Sequence, residues 1–213
     1  MTDIESNRHT YEREALLEET LASDPIVQLQ RWLDEAYAEA GLDEPNAMCV
    51  ATVAATGRPS NRMVLLRGLD DRGLVFYTSY LSRKAREIDA NPYAAATFFW
   101  ARLERQVRVE GTIATLPDDE SDAYFATRPR GHRLSAWASE QSESIDHRET
   151  LDQRLTHFDE RFEGEEVPRP HSWGGYLIVP DAVEFWQGRA NRMHDRLVYL
   201  REERSWNVHR LQP

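Results

Sequence analysis

The sequence predicts a small antiparallel β-barrel with helices packed on its outside. Three observations point there. Six to eight short β-prone runs are joined mostly by polar hairpin turns, and few helical segments interrupt them. No strand–GxGxxG–helix unit or glycine-rich phosphate loop is present, which argues against a dinucleotide or P-loop fold.

The elements follow in order. Asp24 is a favoured N-cap and Pro25 a favoured first helical residue, and Ile26, Leu29, Leu33, Ala36, Tyr37 and Ala40 then recur at helical spacing. The segment before it, with Tyr11 and Leu16-Leu17, reads as a loosely attached arm or short helix. From Ala47 the period changes. Met48 to Ala55 and Asn61 to Gly68 are expected strands around the turn Thr56-Gly57-Arg58-Pro59, and Leu74 to Thr78 follows the turn Asp70-Asp71-Arg72-Gly73. Ser82 caps a short helix, Arg83 to Ala90, which stops at Asn91-Pro92 because the residue before proline avoids helical backbone. Tyr93 to Trp100 and Arg105 to Leu116 are further strands. In the second, Glu104, Gln106, Arg108 and Glu110 share one face, and Arg105, Val107 and Val109 the other. Helices are expected from Asp118 to Thr127 and from about Glu149 to Phe162, with a polar stretch, Ala138 to Ser144, between them. Pro168 and Pro170 mark a loop, and Gly175 to Trp186, Arg192 to Arg201 and Trp206 to Leu211 complete the strands.

The 213 residues suit one sizeable domain, 24–213, preceded by an arm or lid, 1–23. No run of about eighteen apolar residues exists, so no membrane span is expected. Cys49 is the sole cysteine, which excludes an internal disulfide and suits the cytoplasm. The net charge of −11 lies mostly in residues 1–44, which carry twelve acids against three arginines. Such a chain is a poor binder of duplex nucleic acid, which needs a basic footprint. Local arginine clusters can still hold small anions. The chain has twenty-five arginines and one lysine, Lys84, a compact ammonium where every other cation is a guanidinium.

Five constellations could carry chemistry. Arg62-Met63-Val64-Leu65-Leu66-Arg67 could bring two cations to phosphates, although an ordinary buried strand accounts for it equally well. Positions 62 and 67 have opposite parity, so a bulge intervenes or they serve different groups. Ser82-Arg83-Lys84 opens a helix, where free N–H groups and two cations favour an anion. Tyr124 and Arg128 share one helix face, with Arg130, His132 and Arg133 close behind, and suit a phosphate or a plain exposed helix end. Gln141-Ser142 is a polar pair that means little alone. Last come Trp186-Gln187-Gly188 and Arg192-Met193-His194-Asp195-Arg196. In an extended strand Arg192, His194 and Arg196 line one face, an unfavourable row unless an anion or polar ligand lies against it, or a solvated face if nearby acids compensate. No HxH or HExxH spacing occurs, so no metal site is expected.

Taken together, RMVLLR (62–67), FYTSYLSRKA (76–85), LERQV (103–107), YFATRPR (124–130), AWASEQS (136–142) and FWQGRANRMHDR (185–196) resemble the pyridoxine/pyridoxamine 5′-phosphate oxidase family over nearly the whole chain. The resemblance implies an α+β, FMN-binding split barrel that works as a homodimer with the flavin at the subunit interface. It implies oxidation of pyridoxamine or pyridoxine 5′-phosphate to pyridoxal 5′-phosphate by O2, releasing H2O2. A phenazine-pathway flavin oxidase of the same fold, or a non-catalytic binder of FMN or pyridoxal phosphate, is the alternative. By position, Arg62, Met63, Val64, Leu65, Leu66 and Arg67 line the flavin, and Tyr77, Thr78, Arg83 and Lys84 lie near its phosphate. Gln106, Gln141, Ser142, Trp186 and Arg196 complete that pocket. Arg67, Tyr124, Arg128 and His132 hold the substrate phosphate. Arg192, Met193 and His194 lie over the pyridine ring, with Arg192 and His194 in the catalytic role, and Arg8 with Tyr11 closes the site. Position 67 is arginine where the family usually has lysine, and position 132 is histidine where serine is common; both can still donate to phosphate.

Overall fold

The computed structural model describes residues 10–203 and 205–213, and shows one curled antiparallel sheet, a split barrel, with helices around it. In chain order the elements are α1 (Pro25–Ala38), β1 (Ala47–Val53), β2 (Pro59–Leu65), β3 (Gly68–Asp70), β4 (Gly73–Ser79), α2 (Arg83–Ala90), β5 (Tyr93–Trp100) and β6 (Arg105–Thr115). They continue with α3 (Asp118–Thr127), α4 (Arg130–Ala138), α5 (Arg148–Arg161), β7 (Trp173–Gln187), β8 (Asp195–Glu202) and β9 (Ser205–Arg210).

The strand order is β2-β1-β5-β6-β7-β4-β3, and β8 pairs β7 and β9. β7 is the spine. Its first half pairs with β4, from Ser79↔Trp173 to Leu74↔Ile178, and its second half with β8, from Ala182↔Leu200 to Gln187↔Asp195. The change of partner falls at Pro180, which cannot donate to a ladder, and opposite it the register with β6 shifts between Glu110 and Gly111. A Cβ on residue 111 would stand 2.0 Å from the Val179 carbonyl oxygen, so the two strands meet here only through glycine.

α1 forms where the capping residues indicate: the Asp24 carboxylate accepts from the N–H groups of Ile26 and Val27. Leu29, Trp32, Leu33 and Ala36 are buried and pack into the core with Met48, Val50, Phe98, Val107, Phe185 and Tyr199. Burying each large side chain contributes about 1.5–3 kcal/mol. The helix is rotated toward Trp32, whose ring lies 5.1 Å from Phe185, and this leaves Tyr37 exposed. The segment from residue 10 to 23 is docked rather than loosely attached. Leu16 is buried in the core, and the Tyr199 hydroxyl donates to the Ala22 carbonyl.

The helix α4 was not expected. It carries only Leu134 and Ala138 as buried residues, too few to mark a period, and Leu134 packs with Phe162 and Val167 in a small separate cluster. No helix among the described residues is long and apolar enough to cross a membrane.

Candidate active site

The parity conflict between Arg62 and Arg67 resolves in the backbone. β2 ends at Leu65, and the chain then leaves β1 to join β4, the Arg67 N–H donating to the Val75 carbonyl. Both arginines therefore line the same cavity, of about 870 Å³. Met63, Val64, Leu65, Tyr77, Thr78, Arg83, Lys84, Tyr124, Arg128, His132, Gln141 and Ser142 line it as well. Leu66 does not: its side chain is buried in the hydrophobic core, and the change of strand partner after it turns Arg67 to the cavity.

One corner of the cavity is built by the start of α2. The Ser82 hydroxyl caps the helix by accepting from Ala85 N–H, and the Arg83 N–H donates to Ser142 Oγ at 3.1 Å. Lys84 is buried, and its Nζ donates to Thr78 Oγ1 (2.9 Å), Gln141 Oε1 (2.9 Å) and Ser82 Oγ (3.3 Å), all neutral acceptors. Burial, and then the neighbouring Arg62 charge, pull its pKa down to about 8. Behind this corner lies Glu87, which the sequence did not single out. Its buried carboxylate accepts from Thr52, Ser60, Arg62 and Arg83. Burial alone would raise its pKa, but those hydrogen bonds outweigh it and hold the acid at about 2. Arg62 and Arg83 are thereby fixed by an anion behind the cavity.

The opposite corner is the junction of α3 and α4. Tyr124 stacks on Tyr77 at 3.8 Å, and the Arg128 guanidinium lies 4.4 Å over Trp173, a platform that sequence reading also missed. Arg128 Nη1 is buried and finds no partner among the described residues. Burial depresses the Arg128 pKa, Tyr124 counters this, and the Arg67 charge depresses it further. The lining holds Arg62, Arg67, Arg83, Lys84 and Arg128, and no carboxylate among the described residues. Such a cavity stabilises anions, and an orphaned buried guanidinium N–H is a donor awaiting one.

The remaining candidates cluster elsewhere. Gln106 pairs with Trp186 across β6 and β7, and the Trp186 ring lies 4.7 Å from His194. Tyr11 packs edge-on against both rings, each at 5.6 Å. Arg8 lies outside the described residues. The expected row Arg192, His194, Arg196 is not formed. β8 begins only at Asp195, and residues 190–192 form a 3-10 turn in which Asn191 (φ 57°) and Arg192 (φ 60°) are left-handed. Asparagine tolerates that conformation, and the turn destroys the period-two alternation that the row required. Arg196 is instead held by Glu184, with bonds of 2.8 and 3.0 Å, so an internal acid supplies the compensation that a ligand was expected to provide. Arg192 and Met193 are exposed. His194 Nδ1 accepts from the Arg189 N–H at 3.1 Å. Burial, and then the Arg192 charge, lower the His194 pKa, so at neutral pH the ring is uncharged with its proton on Nε2.

The chain is similar to known proteins over most of its length. Residues 33–161 match a family model described as pyridoxamine 5′-phosphate oxidase, and residues 173–213 match one described as the pyridoxine 5′-phosphate oxidase C-terminal dimerisation region. The pyridoxine/pyridoxamine 5′-phosphate oxidase of Rubrobacter xylanophilus is 57% identical over 99% of this chain and 97% of its own. That of Burkholderia multivorans is 53% identical over the full length of both. Among solved structures, PhzG from Burkholderia lata 383, in complex with tetrahydrophenazine-1-carboxylic acid, superposes with a TM-score of 0.87 at 32% identity, covering 94% of this chain and 98% of PhzG. By its own sequence and fold, this chain belongs to the pyridoxamine 5′-phosphate oxidase family.

Proposed function

We propose that the protein is an FMN-dependent oxidase that converts pyridoxamine 5′-phosphate or pyridoxine 5′-phosphate to pyridoxal 5′-phosphate, consuming O2 and releasing H2O2. The observation that carries this reading is the cavity's charge pattern. Five cations line it, with no lining carboxylate among the described residues: Arg83 and Lys84 from the α2 start, Arg128 from the α3–α4 junction, and Arg62 and Arg67 from β2 and the segment after it. Two corners suit two monophosphates, one on the cofactor and one on the substrate. The relatives named for this activity are more than half identical to the chain over nearly its whole length.

The residues present fit FMN. Lys84, Arg83 and the N-terminal N–H groups of α2 would hold a terminal phosphate, and Arg62, Met63, Val64 and Leu65, which line the same cavity, would hold the rest of the cofactor. When bound, FMN supplies the hydride acceptor for the substrate C4′ carbon and the reaction with O2. The chain orients and polarises. Arg67, Tyr124, Arg128 and His132 take the substrate phosphate, with Arg128 Nη1 gaining its missing partner. His194 offers an Nε2 proton donor, and exposed Arg192 a cation, to the pyridine ring. With the amine substrate, loss of two electrons and two protons leaves an imine, and water releases the aldehyde and ammonia.

Trp186, His194 and Arg192 do not line the cavity of their own chain. Along β7, Trp186 stands eleven residues beyond Gly175, which pairs with Tyr77. That is up to about 36 Å at strand rise. The protein therefore works as a homodimer in which the Trp186 cluster of one copy completes the cavity of the other, in keeping with the dimerisation region at 173–213. The sole cysteine, Cys49, is free, and we place the enzyme in the cytoplasm.

Anaerobic mixing of the FMN-loaded protein with pyridoxamine 5′-phosphate tests the reading: the flavin should bleach. A bound flavin that stays oxidised would instead identify a binder. Bleaching by tetrahydrophenazine-1-carboxylic acid alone would favour the chemistry suggested by the match to PhzG.

A further inference from the structure

We propose that Glu104 and Gly188 are positioning residues that latch the N-terminal segment shut over His194, acting through Tyr11. The proposal rests on the oxidase reading above, but it starts from a backbone outlier. Glu104, between the 3-10 turn Ala101–Leu103 and β6, is left-handed (φ 57°) although it is not glycine. Its side chain is buried, and its Oε2 accepts from two successive backbone N–H groups, those of Glu12 (3.0 Å) and Arg13 (3.1 Å). Glycine or asparagine would accept that backbone more readily, but neither has a carboxylate that reaches the segment.

A second pin lies three residues on. Asp195 Oδ2 accepts from the Leu16 N–H at 3.2 Å, and Arg210 bridges Asp195 Oδ1 (2.7 Å) and the Leu16 carbonyl (3.0 Å). Pinned at 12, 13 and 16, the chain delivers Tyr11 edge-on to Trp186 and His194. Gly188 makes the niche that receives it. A Cβ there would stand 2.7 Å from the Tyr11 ring, closer than any real contact. The Gly188 N–H also donates to the Glu104 carbonyl at 2.7 Å, so niche and pin are bonded to each other. Tyr11 thus packs edge-on against an imidazole whose Nδ1 is already fixed by the Arg189 N–H. Substrate entry and departure require this latch to open, and its hold sets how tightly the pyridine is retained.

The test uses the full-length, FMN-loaded protein with Glu104→Ala, Glu104→Gln, Gly188→Ala, Tyr11→Ala and the Gly188→Ala/Tyr11→Ala pair. Two readouts are followed: tryptic cleavage after Arg13, and KM and kcat for pyridoxamine 5′-phosphate. Glu104→Ala and Gly188→Ala should speed cleavage and raise KM by about tenfold with kcat within about twofold and FMN affinity unchanged. Glu104→Gln, which keeps an acceptor oxygen, should restore most of both. In the Tyr11→Ala background Gly188→Ala should add nothing, because both act through one contact. Unchanged cleavage in Glu104→Ala and Gly188→Ala, or additive effects in the pair, would overturn the latch. If cleavage responds as expected while even the unaltered protein fails to oxidise the substrate, the latch stands and the oxidase reading falls.

Discussion

Replacing Lys84 with methionine separates the cost of the α2 corner from its purpose. Lys84 is 7% exposed, has only neutral hydrogen-bond partners, and lies beside the Arg62 charge. The drop of its pKa from 10.5 to about 8 sets an upper bound of about 3 kcal/mol held against the ammonium. Solvent in the open cavity reduces this to about 1–2 kcal/mol. Lys84→Met removes that penalty and also removes neutral hydrogen bonds, each contributing about 0.5–1.5 kcal/mol. The two effects oppose each other, so the FMN-free variant should lose less stability in urea melts than the ~1.5–4.5 kcal/mol that loss of the three hydrogen bonds alone would cost. The same change deletes a charge-assisted contact to the cofactor phosphate, about 1.5–3 kcal/mol, or roughly ten- to a hundred-and-fifty-fold in FMN affinity. The pH dependence follows from the same site. A lysine whose folded pKa is depressed destabilises the FMN-free protein below pH 8, and that cost disappears as the pH rises from about 8 to 10.5. Bound phosphate raises the pKa again, so FMN binding is strongest below about pH 8 and weakens above it in the parent but not in Lys84→Met. Fluorescence titration of FMN at pH 7 and pH 9 measures both. Equal affinity of parent and variant at pH 7 would refute the assignment of this lysine to the phosphate.

Four further outcomes are expected. Arg128→Ala should raise KM for pyridoxamine 5′-phosphate by roughly ten- to a hundred-and-fifty-fold with little change in FMN affinity, because its unpartnered Nη1 serves the α3–α4 corner; steady-state kinetics beside FMN titration checks this. Glu87→Gln should loosen FMN by leaving Arg62 and Arg83 without their anchor. Because the folded Glu87 pKa is depressed to about 2, its stabilisation is present above the ordinary carboxylate value and lost as the pH falls toward 2, so acid melts of the variant should be flatter across that window. Arg192→Ala and His194→Ala should each reduce kcat/KM while the FMN absorption spectrum stays intact; wild-type kinetics in both would remove the catalytic assignment. Light scattering at micromolar concentration should give a dimer, and a fully active monomer would contradict a cavity completed by a second copy.

What the sequence by itself determined was local. Asp24-Pro25, Ser82 and Asn91-Pro92 bound α1 and α2 where the structure has them, because caps and proline act on adjacent backbone alone. β5 and α3 likewise run over the ranges expected of them. Part of the cavity's charge was legible for a similar reason: Arg83 and Lys84 open α2, where the helix dipole favours an anion, and Arg128 ends α3. Tertiary structure decided the rest. Glu87 anchors two of those arginines from a helix that offered no signal beyond an ordinary i,i+4 pair, since its other partners, Thr52 and Ser60, come from β1 and β2. Leu66 went to the core and Arg67 to the cavity only because the chain changes strand partner between them. The row Arg192, His194, Arg196 failed on two left-handed residues, and Arg196 took Glu184 from the neighbouring strand. Charge pairing across strands depends on register, and register is set by which faces the whole sheet buries.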